Sequence, residues 1–272
     1  MALADADIEF VARETRARNG LTLARDTLHL LEMRLTPIAR REGFLSVQEL
    51  ITTARARRDD RLLWAIANTL TIAETCFFRD RAPFAALRDQ ILPDLARQRT
   101  APLRILSAGC SSGQEPYSIA MMLEEMRAGG RGIECEIVGI DVCEPALEKA
   151  RSGLYSQFEV QRGLPIALLV RHFEKAGDMW RISDRMRAAV KLHRANLLHD
   201  LTNFGRFDVV LCRNALTHFD SDTRRDALDR LAELTAHDGY LILGASETGD
   251  PVFAPTGAGC AHRPALVARA AA

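Results

Sequence analysis

Gly109 and Gly113 lie four residues apart in Ala108-Gly-Cys-Ser-Ser-Gly-Gln-Glu115, a spacing that lets a backbone turn sharply and come close to a ligand where a side chain would block it. Asp141 ends the next strand-like run, where a carboxylate can accept both hydroxyl hydrogens of a ribose. Further on, Asn196 closes another such run, placed either to hydrogen-bond an adenine edge or simply to make a turn. Arg213 and Asn214 stand at the end of a fourth. Arg79 directly follows Phe77-Phe78; a paired phenylalanine is ordinarily core, and an arginine held behind such an anchor is presented to a ligand at a fixed place. The glycine turn lacks the full G-x-G-x-x-G spacing, so a dinucleotide pyrophosphate has no cradle. An adenosine ligand without a pyrophosphate fits instead, S-adenosylmethionine being the usual one, with a purely structural glycine turn as the competing reading.

The same turn also matches a G-x-S-x-G nucleophile elbow through Ser111, with Asp208 and His262 following in the right chain order. Such hydrolases place several strands before the elbow. Here residues 1–100 read as helical, which argues against that chemistry.

The elements that must position these residues are legible in outline. Leu103–Ser107 reads as a strand, and the residues from Glu115-Pro116 to Met126 as a helix stopped by Gly129-Gly130. Glu134–Ile140 is a second strand, and Glu144-Pro145 opens a helix through Ala150 that stops near Gly153. Arg151–Ala189 is irregular, including the run Leu168–Phe173, and predicts a brief antiparallel excursion. Strand character returns at Val190–Leu198 and Phe207–Cys212, followed by a helix over Asp222–Thr235 ending at Gly239 and a strand at Tyr240–Gly244. This alternation predicts a parallel sheet covered by helices. Residues 1–85 predict a small helical domain, with helices at Ile8–Arg18, Leu23–Arg41, Val47–Arg55 and Asp60–Leu70. Ser46 and Asp59 serve as caps, and Gly20 and Gly43 as stops. Residues 86–272 form the second domain.

With 272 residues, 47% hydrophobic, 26% charged and no formal net charge, the chain has a globular composition with no global pull toward nucleic acid or membrane. The N-terminus lacks the features of a signal peptide and no apolar run reaches membrane-spanning length, so no membrane insertion and a cytoplasmic location are expected. Six scattered cysteines without C-x-x-C or zinc-like spacing predict reduced thiols and no metal. From Arg13 to Arg61 eleven arginines face seven acids. That excess fits a solvated helical surface, or a docking face for an acidic partner.

Four separated stretches resemble the CheR family of chemotaxis receptor methyltransferases: Thr71-Ile-Ala-Glu-Thr-Cys-Phe-Phe-Arg79; Cys110-Ser-Ser-Gly-Gln-Glu-Pro-Tyr-Ser118; Asp141 with Leu147-Glu-Lys-Ala-Arg-Ser-Gly-Leu-Tyr155; and Cys212-Arg-Asn-Ala-Leu-Thr-His-Phe219. The resemblance spans residues 10 to 250. It implies a helical N-terminal domain, then a Rossmann-like S-adenosylmethionine-dependent methyltransferase domain with a small antiparallel β subdomain inserted near 158–190. It places Thr75, Arg79, Glu115, Asp141, Asn196, Leu197 and Arg213 around the cofactor. The implied activity is methyl transfer to glutamates of the cytoplasmic domain of chemoreceptors, by a monomer, leaving S-adenosylhomocysteine. A glutamate acceptor is already ionised at neutral pH, so no general base is needed. Arg79 then orients cofactor or substrate carboxylate, helped by His218. The chain departs from the family pattern at Ala73, Gln114, His218 and Ala245, where asparagine, glutamate, tyrosine and histidine are usual. Two other readings follow from these departures: an S-adenosylmethionine-binding signalling adaptor that has lost catalysis, and a methyltransferase for a different protein. The Phe173–Ile182 connection is shorter than in members that grip a receptor's tethered C-terminal peptide, which predicts tail-independent action.

Overall fold

The computed structural model describes residues 3–23, 30–71, 74–244, 247, 253–256 and 261–264, and it separates into two compact units. The first comprises residues 1–73 with 218–224, the second 74–217 with 225–272.

The first unit is helical. Helices α1 (Asp5–Asn19), α2 (Leu31–Arg41), α3 (Val47–Arg57) and α4 (Asp60–Leu70) enclose a core that includes Val11, Leu35, Leu50, Ile51 and Ile66. The two predicted caps are in place: the Ser46 hydroxyl accepts the Glu49 N–H and the Asp59 carboxylate accepts the Leu62 N–H. Gly20 ends α1 in the left-handed region. The helix expected from Leu23 begins at Leu31, and residues 24–29 lie outside the described ones. Phe219 packs so closely on Gly20 that a Cβ there would sit 2.6 Å from its ring, and Arg16 pairs with Asp220 at 2.9 Å.

In the second unit, strands β1 (Leu103–Ala108), β2 (Cys135–Asp141), β6 (Val190–Arg194), β7 (Phe207–Cys212), β8 (Thr235–Leu243), β9 (Phe253–Pro255) and β10 (Ala261–Pro264) form one seven-stranded sheet. Their order is β6-β2-β1-β7-β8-β10-β9, parallel through β8 and antiparallel at β10 and β9. The chain winds outward from β1 and then returns to β7, which makes the β1–β7 boundary the topological switch point. Buried runs such as Leu103–Ala108 supply strands covered on both faces by helices, among them α7 (Gln114–Ala128), α8 (Glu144–Ser152) and α12 (Ser221–Leu234).

The antiparallel excursion is a separate three-stranded sheet of β3 (Leu154–Tyr155), β5 (Met179–Ile182) and β4 (Phe173–Ala176). The run Leu168–Phe173 is not strand throughout: residues 166–172 form the helix α10 (Ile166–His172). Residues 74–96 pack in this unit rather than with the four N-terminal helices, with Phe77, Phe84, Leu87 and Ile91 in its core. Among the described residues no helix is long and apolar enough to cross a membrane, and no cluster could hold a metal.

Candidate cofactor site

The residues singled out at strand ends converge on the carboxyl edge of β2, β1 and β7. Asp141, at the tip of β2, is half-buried; its Oδ2 accepts the Ser111 N–H at 2.8 Å and its Oδ1 the Cys143 N–H at 2.8 Å. Each oxygen keeps a lone pair for a further donor. Burial raises its pKa, opposed by those backbone hydrogen bonds.

Both turn glycines adopt left-handed φ, as Gly-dependent turns require, and both are also closed in by protein. A Cβ at Gly109 would lie 2.7 Å from that of Ala215, and one at Gly113 2.8 Å from that of Ala150. Gly113 therefore seats α7 against α8, a packing reason beside the ligand-approach reading.

Glu115, in the first turn of α7, receives the Ser107 hydroxyl at 2.7 Å and Arg213 Nη1 at 2.9 Å. Arg213 is 1% exposed in its side chain and turns its other nitrogen, Nη2, to the Arg79 carbonyl at 2.6 Å and to Asp80 Oδ2 at 2.8 Å. Arg213 thus ties the loop carrying Thr75 and Arg79 to the sheet. It is the carbonyl of Arg79 that is held; its own guanidinium donates to the Glu74 carbonyl at 2.5 Å. Thr75 is half-buried on the same loop. Phe77 is buried edge-on to Tyr155 at 5.0 Å and Phe173 at 5.6 Å, the anchoring expected of an aromatic pair at the base of a presented arginine. Asn196 is buried and accepts the Leu198 N–H at 3.0 Å through Oδ1, so it does make a turn, with Leu197 half-buried beside it.

Two physical signatures mark this edge. Four of the non-glycine residues with positive φ, Phe78, Asp80, Ser111 and Asn214, lie on its loops, a concentration of strained backbone typical of ligand sites. Ser111 Oγ, Arg213 Nε and Asn214 Oδ1 are moreover buried there without a hydrogen-bond partner. Buried polar atoms left open on the two loops that follow β1 and β7 suit a polar ligand. His218 belongs to the first unit, where it is exposed and its carbonyl accepts the Thr22 N–H at 2.8 Å. Ala73 and Ala245 lie outside the described residues, and Gln114 is buried with its amide oxygen accepting the Ser112 hydroxyl at 2.8 Å.

A hydrolytic triad is not assembled. Asp208 is engaged by Arg99 and the Arg104 N–H at the amino end of β7, whereas Ser111 follows the carboxyl end of β1. One residue that sequence reasoning missed is Glu247: its carboxylate accepts N–H groups of Asn214 and Gly244 at 3.0 and 2.7 Å and the Thr217 hydroxyl at 3.0 Å. Nothing in its local sequence marks it, because two of its partners, Asn214 and Thr217, come from a distant segment.

Comparison with known proteins locates the same region. Residues 73–251 match the family model described as CheR methyltransferase, SAM binding domain. A chemotaxis protein methyltransferase 1 of Pseudomonas aeruginosa is 34% identical over 252 residues, 91% of this chain and 92% of that protein. Chemotaxis protein methyltransferase Cher2 of Pseudomonas putida is 34% identical, covering 84% and 85% of the two chains. A chemotaxis protein methyltransferase of Vibrio parahaemolyticus is 32% identical, covering 91% of each.

Proposed function

Since the chain belongs to the CheR methyltransferase family, we propose that it transfers a methyl group from S-adenosylmethionine to glutamate side chains of chemoreceptors, giving methyl esters in chemotaxis adaptation. Methyl transfer in chemotaxis, with S-adenosylmethionine as cofactor, is the coarser statement that the family itself carries. The cofactor side of this reading is supported by the edge of β2, β1 and β7, where a partly unpaired set of polar groups gathers inside the matched segment, and its acceptor side by the chemotaxis methyltransferases that the chain resembles.

When bound, the cofactor supplies a sulfonium-activated methyl group for in-line displacement. Asp141, already oriented by two backbone N–H groups, would take the ribose hydroxyls. Asn196 and Leu197 would border the adenine. Glu115 and Arg213 hold the Thr75–Arg79 loop in register with β1 and β7. Arg79 orients the cofactor or the acceptor carboxylate. Because a glutamate is ionised at neutral pH, the protein's task is to hold it in line and exclude water, worth several kcal/mol of barrier.

The acceptor is the cytoplasmic domain of a chemoreceptor, docked by the monomer's basic helical domain. In that domain Arg34, Arg40, Arg57 and Arg58 form no ion pair with a described residue, so local positive charge is available to an acidic helix surface. The β4–β5 hairpin turns through Gly177-Asp178 alone, the short connection from which tail-independent action is expected.

The test is incubation with methyl-labelled S-adenosylmethionine and receptor-containing membranes, scoring base-labile label released as methanol. Label that disappears in Arg79→Ala is the expected result. Absence of label with cofactor binding intact would instead make the protein a signalling adaptor, or a methyltransferase for another protein.

A further inference from the structure

Glu247 stands just beyond β8, its own N–H donating to the Gly244 carbonyl at 2.9 Å. Its side chain folds back so that one carboxylate gathers donors from the ends of two strands: Asn214 N–H and Thr217 Oγ from the segment after β7, and Gly244 N–H from the end of β8. The approach is close. A Cβ at Gly244 would lie 2.9 Å from Glu247 Oε2 and 3.0 Å from Asn214 Nδ2, so this glycine is what admits the carboxylate.

Asn214 has φ +59, a left-handed conformation that asparagine adopts more readily than most residues and that contacts must select among its alternatives. The Glu247 carboxylate is one such contact, holding the Asn214 N–H. Asn214 in turn directly follows Arg213, whose guanidinium fixes Arg79 and Glu115, and its own Oδ1 is one of the open buried atoms of the edge.

We infer that Glu247 is a positioning residue for the cofactor site, setting where the chain leaves β7 and so where Asn214 Oδ1 points. The inference rests on the cofactor placement proposed above, and it acts through hydrogen-bond acceptance rather than through charge as such. A glutamine at this position preserves the acceptance of both N–H groups by its carbonyl oxygen and can donate its amide to the Thr217 hydroxyl.

The test measures S-adenosylhomocysteine affinity of the full chain by calorimetry in wild type, Glu247→Ala and Glu247→Gln, with thermal melts of the free proteins alongside. Glu247→Ala is expected to weaken binding by about tenfold or more while remaining folded, and Glu247→Gln to stay within about threefold of wild type. Wild-type affinity in Glu247→Ala would overturn the inference, and so would a Glu247→Gln as weak as the alanine variant. The readout needs no acceptor. A protein that binds S-adenosylhomocysteine but methylates no receptor would therefore overturn the proposed substrate without touching Glu247.

Discussion

The two ends of the central sheet use the same side chains to opposite effect. At the amino end, Arg99 bridges Asp208 and Asp238 at 2.9 and 2.6 Å, Asp208 also takes the Arg104 N–H, and Glu136 is shared by Arg104 and Lys191 at 2.7 Å each. Charges there close on one another across β2, β1, β7, β8 and β6. At the carboxyl end Arg213 and Glu115 are paired as tightly, yet around them lie left-handed non-glycine residues and three open polar atoms. Even the carboxylates diverge: a hydrogen bond from Arg99 holds Asp238 below its usual pKa, whereas burial lifts Asp141 above its own. A satisfied network reads as fastening, an unsatisfied one as a place prepared for a ligand.

Substitutions at the two ends should separate these roles. Arg213→Ala strands a half-buried Glu115 carboxylate and releases the Arg79 loop, so it should cost about 3 kcal/mol in denaturant unfolding and abolish measurable S-adenosylhomocysteine binding. Retained affinity would erase the contrast. Arg99→Ala should lose about 1–3 kcal/mol while leaving that affinity unchanged, which calorimetry on the same sample checks. Ser111→Gly relieves a left-handed serine and should raise stability by about 1 kcal/mol while weakening binding, since it also removes an open hydroxyl.

The smallest effect is on pH dependence. Glu136 and Asp238 have lowered folded pKa values, Glu136 first through its hydrogen bond from Lys191 and Asp238 through Arg99. Their stabilisation is present above the unfolded carboxylate value near 4 and is lost as pH falls through the folded values below it, by about 1 kcal/mol or less for such partly exposed groups. Arg99→Ala should flatten that acid limb in unfolding titrations. Asp141 has the opposite sign: its raised pKa means that cofactor affinity should start to fall while the pH is still above the ordinary carboxylate range.

Local chemistry made much of this legible. The apolar run at Leu103, two spaced glycines and Glu115-Pro116 specify strand, turn and helix within a few residues, and the caps at Ser46 and Asp59 set the starts of α3 and α4. What escaped depends on distant chain. Gly239 reads as a helix stop, but β8 already starts at Thr235, and the glycine is needed because a Cβ would sit 2.7 Å from the Asp208 carbonyl beside a register shift. Ile166–His172 is too short for periodicity to tell helix from strand. Glu247 acquires its meaning only when β7 and β8 lie side by side.

The aromatic anchor beneath Arg79 also sets a schedule for the newborn chain. Phe77 is sealed by Tyr155 and Phe173, and a Cβ at Gly163 would stand 2.1 Å from the Phe77 carbonyl. All three partners are translated long afterwards. At about 5–20 residues per second, Phe77 waits about 5–20 s on the ribosome before Phe173 exists to cover it. During that interval the segment that will present the arginine is a bare aromatic pair, an attractive stop for a chaperone, and a truncated transcript ending before residue 155 yields a product in which it is never covered.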